Sequence, residues 1–510
     1  MQDQKKIKSA LISVFHKDGL EDIAAKLKEL DIQVYSTGGT QKFLESQGLQ
    51  VHRVEDLTGY PSILDGRVKT LHPKVFGGIL AKRDEDHLGQ LNQYDIPEID
   101  LVVVDLYPFE ETVASTSDEN AIIEKIDIGG IALIRAAAKN FNDTVIVPSK
   151  SEYADLLNIL NNGGSTDKAT RLKLAKAAFY VSSHYDSAIF NYFASQDEEE
   201  TAAFKVSIKD SQMLRYGENP HQQGFYYGNL DAQFHTLSGK ALSFNNLVDV
   251  DAAVAIMKEF KDEKPTFAVL KHTNTCGIAT RDSIFEAWQD ALAGDPISAF
   301  GGILIANAPI DLKTAEAIDK IFYEVLIAPA FDDDAKELLT KKSKRILLQI
   351  KHWDLQARSF KSILNGVISQ DTDLINTDEE KLRVVTEAQP TEEQLNDLNF
   401  ANRCVKHLKS NTIVLVKNNQ LIGMGCGQTS RVDACKQAID KAQKMGFDTH
   451  GSVMASDAFF PFPDCVEIAS NAGIKAVIQP GGSIKDKLSI DFCNEKQIPM
   501  LFTGLRHFKH

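Results

Sequence analysis

Ile32-Gln33-Val34-Tyr35-Ser36-Thr37-Gly38-Gly39-Thr40 runs from a short apolar strand through hydroxyls and glycines into a helix that begins near Thr40. A strand feeding a helix through such a loop is half of a βαβ unit, and the flanking sequence repeats the alternation. Ala10–Val14 is a short apolar run, Leu20–Leu30 a helical pattern, Leu101–Asp105 a β-branched run and Asn142–Val147 a further strand. This order predicts a mainly parallel sheet with helices on both faces. In open sheets of that kind ligands collect beyond the carboxyl ends of the strands. Lys168–Ser195 reads as one or two long helices. The acidic run Gln196-Asp197-Glu198-Glu199-Glu200, with no apolar anchor, predicts a solvated linker and a domain boundary near residue 200.

Beyond the linker, apolar strands recur near Thr266–Leu270, Ile303–Ala306, Thr412–Val416 and Ala476–Gln479, so the second part is α/β again. A faint echo between Asp295–Phe300 and Ser456–Pro461 hints at a duplicated subdomain, and the charge-rich segment 310–397 is expected to be helical and peripheral. With 510 residues the chain exceeds one ordinary core. Its net charge of -15 argues against nucleic acid or an anionic membrane as partner, so an anionic substrate needs local positive groups. The start, Met1 to Lys6, is polar with no signal-peptide core behind it, and no stretch approaches the roughly 20 apolar residues of a membrane helix. The cysteines, Cys276, Cys404, Cys426, Cys435, Cys465 and Cys493, are scattered without Cys-x-x-Cys pairs. That suits a reducing cytosol and predicts neither a disulfide framework nor a catalytic metal.

Candidate chemistry in the first part gathers at the predicted carboxyl ends. Ser13 and Lys17 follow the first strand, and Thr37, Gly38, Gly39 and Thr40 form a loop whose backbone N–H groups and helix N-terminus suit a phosphate. In Asp65-Gly66-Arg67-Val68-Lys69-Thr70-Leu71-His72-Pro73, Arg67 and Lys69 share one side if the segment is extended. Tyr107 stands where a buried strand is stopped by Pro108, which aims its phenol at the same crevice. Asp127 precedes a glycine-led helix that it could cap, and Lys139 closes that helix. If the intervening residues are all helical, the two lie about 18 Å apart.

Gly66–Pro73, Leu106–Phe109, Ile126–Gly130 and Arg135–Asn140, in this order, resemble the inosine monophosphate cyclohydrolase half of the bifunctional purine-biosynthesis enzymes. The resemblance covers residues 8 to about 148 and implies a methylglyoxal-synthase-like fold for residues 1–200. It implies that Ser13, Lys17 and Thr37 to Thr40 hold phosphate and ribose. Arg67, Thr70, Asp105 and Ile128 would contact the nucleotide, and Lys69, Tyr107, Asp127 and Lys139 would run ring closure. The chain departs from the family where Phe15-His16 replaces a usual Ser-Asp, Asp105 a usual Asn and Phe76 a usual His.

In the second part, Leu214-Arg215-Tyr216-Gly217 follows the linker, and the strand Phe267–Leu270 ends in Lys271-His272 before a polar loop. A cation beside an imidazole favours the neutral, proton-accepting ring. The run Gly423-Met424-Gly425-Cys426-Gly427 before Arg431 could be a phosphate nest, and Ser456–Phe462 a stacking wall for a flat ligand. The tail Leu505–His510, basic and aromatic, is expected to fray. Together these stretches resemble the aminoimidazole carboxamide ribonucleotide (AICAR) transformylase half of the same family, over residues 201–510, built from two cytidine-deaminase-like subdomains. That chain end lacks the His-x-Glu and Pro-Cys-x-x-Cys signature of a deaminase zinc site.

By this resemblance Arg215, Tyr216, His272, Gly301, Glu324, Asn411 and Arg431 would bind the nucleotide. Phe459, Asp464, Ser483 and Arg506 would contact the formyl donor 10-formyltetrahydrofolate. His272 would take the proton of the attacking amine and Lys271 would stabilise the oxyanion. AICAR, its formylated product FAICAR, inosine monophosphate (IMP) and folate are the expected ligands, and a cytoplasmic homodimer with shared transformylase sites the expected form. Two rivals remain on sequence grounds: a nucleotide sensor built on the first domain, and a transferase whose first half has decayed.

Overall fold

Ser9–Val14 (β1) buries Ala10, Leu11, Ile12 and Val14 because it lies in mid-sheet, covered on both faces. The computed structural model describes residues 4–196, 203–375 and 382–510, and divides into two units, Met1–Lys209 and Asp210–His510. The acidic run at 197–200, read above as a linker, lies outside the described residues.

In the first unit β1 is followed by α1 (Leu20–Glu29), β2 (Gln33–Ser36), α2 (Gly38–Ser46), β3 (Val51–Arg53), α3 (Pro73–Leu80), β4 (Leu101–Asp105), α4 (Gly129–Lys139), β5 (Val145–Val147) and the single long helix α5 (Lys168–Ser195). The sheet order is β3-β2-β1-β4-β5, parallel throughout. The chain winds one way from β1 to β3 and then returns to the other side at β4. The crevice between the ends of β1 and β4 is therefore the switch point where such sheets hold ligands.

The second unit starts with a small hairpin, β6 (Ser211–Met213) and β7 (Phe225–Tyr227), and then runs through one pattern twice. The first pass is β8 (Phe234–Ser238), α6 (Phe244–Lys258), the hairpin β9 (Thr266–Lys271) and β10 (Asn274–Thr280), α7 (Ile284–Ala293), β11 (Ile303–Ala306), α8 (Leu312–Ile318), β12 (Val325–Ala328), α9 (Asp333–Thr340) and β13 (Ile346–Ile350). An exposed ribbon, β14 (Arg358–Ile363) and β15 (Gly366–Asp371), separates it from the second pass. That pass is β16 (Arg383–Val384), α10 (Glu392–Lys406), the hairpin β17 (Ile413–Lys417) and β18 (Gln420–Gly425), α11 (Arg431–Lys444), β19 (Val453–Ser456), α12 (Asp464–Asn471), β20 (Ala476–Gln479), α13 (Asp486–Lys496) and β21 (Met500–Phe502). The two passes join side by side, β10 against β18, in one sheet ordered β8-β13-β12-β11-β9-β10-β18-β17-β19-β20-β21-β16.

Alternate residues of each central strand serve opposite faces. Ala268 and Leu270 join Val414 and Val416 in one core under α6 and α10, whereas Phe267 and Val269 face α7 to α9, and Ile413 and Leu415 face α11 and α12. The segment 310–397 corrects the expectation of a peripheral helical region: it supplies the fully buried strand β12 and β13, buried except at Gln349, as well as the ribbon. Runs of four or five apolar residues set among charged helices carry too little weight to change a segment's composition. The echo between Asp295–Phe300 and Ser456–Pro461 also fails, since one segment precedes β11 and the other follows β19. The repeat itself is genuine, and its true register pairs Lys271 with Lys417.

Candidate functional site

The first unit brings most of its expected residues to the β1/β4 crevice. Past the end of β1, the Phe15 N–H donates to the Asp105 carbonyl (3.1 Å) and the His16 N–H to Asp105 Oδ2 (2.8 Å), with His16 Nδ1 also 2.8 Å from that oxygen. The carboxylate that stands in the family's Asn position is thus engaged by the His that departs from the family's Asp. Lys17 donates to the Val14 and Phe15 carbonyls (2.5 and 2.7 Å), and burial lowers its pKa, opposed by the nearby charge of Asp105. Ser13 sits half-buried beside it.

Thr37 precedes α2 but does not cap it. Its hydroxyl donates to Glu55 Oε1 (2.6 Å), and no side chain caps the Gly38-Gly39 turn. Free N–H groups at a helix start favour an anion. Thr40 is committed otherwise: its hydroxyl donates to the Val14 carbonyl (2.9 Å) and accepts the Val14 N–H (3.2 Å), tying α2 to β1.

The segment around Lys69 is not extended, as the sequence reading supposed. Leu64–Gly66 is a 3-10 turn, Gly66 takes φ 85°, and further turns run to Leu71. Arg67 and Lys69 consequently part. Arg67 lies at the surface, 2.5 Å from Glu124 Oε2, whereas a Cβ placed on Gly38 would meet Lys69 Nζ at 3.1 Å. Lys69 thus reaches the glycine loop from the far side. Thr70 is buried, with its hydroxyl 3.1 Å from the Cβ position of Gly129 at the start of α4.

Tyr107 is 43% exposed and meets the Phe15 ring edge-on at 5.5 Å. Burial, then the charges of Asp127 and Glu124, raise its pKa and keep it a proton donor. Asp127 Oδ1 accepts the Gly130 N–H (2.6 Å), so it does cap the first turn of α4, while burial raises its pKa against the pull of the Gly130 and Tyr107 N–H groups. Ile128 is exposed beside it. Lys139 is not brought to this group: α4 is continuous, and its last residue stands about 15 Å along the axis from its first. Residues that the sequence reading passed over complete the crevice. Lys125 stands over the Phe15 and Tyr107 rings, and Tyr185 on α5 donates its hydroxyl to the Lys125 carbonyl (2.6 Å) and accepts the Asp127 N–H (2.9 Å). Only their closeness in sequence to Asp127 could have flagged Glu124 and Lys125; nothing local flags Tyr185.

In the second unit the "polar loop" after β9 is a tight hairpin turn with His272 and Thr273 at φ 52° and 64°. The Thr273 N–H donates to Asp249 on α6 (2.7 Å), and Lys271 Nζ donates to the Phe300 carbonyl beside Gly301 (2.5 Å). Burial raises the Asp249 pKa, opposed by the Thr273 N–H and by His272 and Lys271. His272 is exposed. Asn274 reaches Cys426 across the junction of the two passes, and Arg431 donates to Asn411 (2.7 Å), Ser456 (2.9 Å) and Asp457.

The strand registers put Lys271, His272, Gly301, Glu324, Asn411, Arg431, Phe459, Asp464, Ser483 and Arg506 along one edge of the long sheet. The first pass contributes the amino ends of its parallel strands, the second the carboxyl ends. Glu324 pairs with Lys240 (2.9 Å). Arg215 stacks on its own neighbour Tyr216 in the β6–β7 loop, which α6 anchors through Asn245 to the Glu218 carbonyl (3.2 Å).

Two expectations for this half are corrected. Gly423 and Gly425 form no phosphate nest; they lie in β18, where any Cβ would collide with the Ala438 and Ala434 carbonyls of α11. The tail does not fray. Ser410 and Lys509 exchange backbone and hydroxyl hydrogen bonds, the His507 N–H donates to the Asp457 carbonyl, and buried His507 lies 2.7 Å from Asp373.

Among the described residues no helix is long and apolar enough to cross a membrane, and no cluster of His, Cys, Asp and Glu could hold a metal ion. Residues 19–132 match the family model described as an MGS-like domain, and residues 137–441 that of the AICARFT/IMPCHase bienzyme. The chain is 58% identical to the bifunctional purine biosynthesis protein PurH of Bacteroides thetaiotaomicron, with all of both chains covered. It is 47% identical to PurH of Acetivibrio thermocellus (99% of this chain, 100% of that one) and 46% to PurH of Chlorobium phaeobacteroides (99% of each). A match over more than half the chain by one family model, with relatives alike from end to end, means that this chain belongs to the AICARFT/IMPCHase bienzyme family.

Proposed function

We propose that the two activities of this family, formyl transfer to AICAR and ring closure to IMP in purine biosynthesis, are divided between the units, closure in the first and transfer in the second. The observation that carries the assignment is Lys69 lying against the uncapped Gly38-Gly39 turn at the sheet's switch point, with Thr70, Asp127 and Tyr107 grouped at the start of α4. There Gly38, Gly39, Ser13 and Lys17 bind the phosphate end of FAICAR, and Lys69 and Thr70 the groups near the base. The carboxamide nitrogen attacks the formamide carbon, whose oxygen gains the π pair and takes a proton from Tyr107. The new carbon–nitrogen bond closes the ring. The attacking nitrogen returns a proton to the phenolate. Water then leaves with the former formamide oxygen as the second nitrogen loses its proton and the ring double bond forms. Asp127, with a raised pKa, carries that last proton.

In the second unit His272 accepts the proton of the AICAR amine as it attacks the formyl carbon, and passes it to the nitrogen that departs. Lys271 lies beside Gly301, where it meets the developing oxyanion. The formyl group comes from 10-formyltetrahydrofolate, a flat ligand with an anionic tail. Exposed Phe459 and Phe462, with Lys485 over the Phe462 ring (4.2 Å) and Arg506 over Phe508 (4.5 Å), fit such a ligand.

The edge residues also support a homodimer. Among the residues expected to hold the nucleotide, from β12, which Glu324 heads, to β17, which Asn411 precedes, is five strand steps, about 24 Å at ~4.8 Å each. No mononucleotide spans that, so a second copy completes each transformylase site. Full-length chain given AICAR and 10-formyltetrahydrofolate tests the division. Lys69→Ala should accumulate FAICAR, and His272→Ala should stop its formation yet still cyclise added FAICAR. Full flux in both variants would refute the assignment.

A further inference from the structure

We propose that Lys125 is a further residue of the ring-closing site: its ammonium stands over the Tyr107 ring and stabilises the negative charge left on that oxygen when the phenol gives up its proton. The inference rests on ring closure belonging to the first unit. Lys125 Nζ lies 5.6 Å from the centre of the Tyr107 ring and 5.2 Å from that of Phe15, and those rings meet edge-on beyond the ends of β1 and β4. A cation within about 6 Å of a ring face is attracted to it, and the attraction grows as the ring gains charge.

No carboxylate among the described residues lies within ion-pair distance of Lys125. The acids nearest in sequence are committed elsewhere, Glu124 to Arg67 and Asp127 to the Gly130 N–H. An ammonium neutralised by a carboxylate would do little for a phenolate; this one is held by aromatic faces alone. Its backbone is fixed as well, because the buried Tyr185 hydroxyl bridges the Lys125 carbonyl and the Asp127 N–H. Proton donor, proton carrier and cation therefore share one rigid corner, as preorganised stabilisation requires.

The carboxylates that act on the phenol, Asp127 and Glu124, both oppose its ionisation. Closing the ring moves the Tyr107 proton to the formamide oxygen and leaves the phenolate until the carboxamide nitrogen gives a proton back. Lys125 faces the ring during that interval. No proton need pass through it.

The test uses the full-length chain with FAICAR alone and follows IMP, while formyl transfer is measured separately. Lys125→Met keeps the aliphatic stem and removes the charge. The cyclisation kcat should fall by about tenfold or more, with KM and formyl transfer little changed. Lys125→Arg should recover most of the loss. The alkaline limb of the kcat profile should move to higher pH in Lys125→Met, because the cation no longer favours the phenolate.

An unchanged kcat in Lys125→Met overturns the proposal. So does a loss without displacement of the alkaline limb, which indicates packing alone. If Tyr107→Phe and Lys69→Ala abolish cyclisation and Lys125→Met does not, only this inference falls. If all three leave it intact, the site assignment falls with it.

Discussion

Replacing Tyr185 by Phe removes one oxygen atom and the two hydrogen bonds it makes, to the Lys125 carbonyl (2.6 Å) and from the Asp127 N–H (2.9 Å). Each bond contributes about 0.5–1.5 kcal/mol net, and a buried backbone group left without a partner costs about 1–3 kcal/mol. The ring itself stays, packed on Phe109, so no cavity opens. A loss of about 2 kcal/mol is therefore expected. For a unit of about 200 residues it lowers the first unit's melting temperature by about 4–8 °C. The larger consequence is positional. Lys125 and Asp127 hang on the same oxygen, and a catalytic group displaced by about 1 Å loses up to about a hundredfold in rate. Cyclisation of FAICAR measured well below the melting temperature should fall by at least about tenfold, with formyl transfer unchanged. A variant that melts earlier but cyclises normally would show that the corner holds its geometry without Tyr185. One that matches the native chain in both would show that the bridge does not form.

The buried group Lys406, Glu259 and His407 makes the second unit acid-sensitive. Glu259 Oε1 lies 2.9 Å from Lys406 Nζ and 3.0 Å from His407 Nε2, and the Lys406 side chain is only 4% exposed. Burial pushes the Glu259 carboxyl up, but His407 and Lys406 pull it below its ordinary value, while burial holds His407 below its usual 6.5. Both folded pKa values are depressed, so the unfolded chain binds more protons and stability declines as pH falls through 6.5 and on into the carboxylate range. Urea titrations from pH 8 to pH 4 should show that slope for the second unit, and Glu259→Gln should flatten it by removing the carboxylate that His407 and Lys406 share. A flat profile would refute it. Gly423→Ala should cost about 1–3 kcal/mol in the same assay, since its Cβ meets the Ala438 carbonyl, whereas Gly366→Ala, facing open space, should change stability by less than about 0.5 kcal/mol.

Legibility in the sequence followed the range of the interactions. The parallel sheet of the first unit could be read because its central strands β1 and β4 hold short apolar runs and the loop after β2 carries its own turn residues, Ser36 to Thr40, whereas the edge strand β3, Val51-His52-Arg53, left no apolar pattern to read. Tyr107 and Asp127 were accessible for the same reason: the residues that aim them, Pro108 and the Gly129-Gly130 helix start, are their neighbours. Tyr185 was invisible because it acts across 58 residues on a backbone N–H, leaving no mark in either local pattern. The turn at Arg67 and Lys69 was misread since alternation assumes extension, and Gly66 at φ 85° bends the chain there. Strands β12 and β13 escaped because burial on both faces removes the period that identifies a strand, and four or five residues are too few to replace it.

The internal repeat separates what the fold demands from what the chemistry demands. Lys271 ends β9, and Lys417 ends β17 at the corresponding place. Lys271 donates to the Phe300 carbonyl and Lys417 to the His450 carbonyl (2.7 Å), each three residues ahead of the next strand. The turns that follow take positive φ at both residues, His272 and Thr273 in one pass, Asn418 and Asn419 (54° and 51°) in the other. Asp249 on α6 accepts the first turn's amide, and Asp397 on α10 accepts both of the second's (2.9 and 2.6 Å). The lysine, its carbonyl, the turn and the supporting Asp therefore recur where no reaction is assigned, which makes them parts of the scaffold. Asn adopts positive φ readily, whereas a β-branched Thr does so at a cost of about 1–3 kcal/mol. Only the first pass carries that cost, and only there does an imidazole stand at the tip. Backbone geometry alone does not call for His272, which fits the proton transfer proposed for it, whereas Lys271 holds the turn through the Phe300 carbonyl as its counterpart Lys417 does through that of His450.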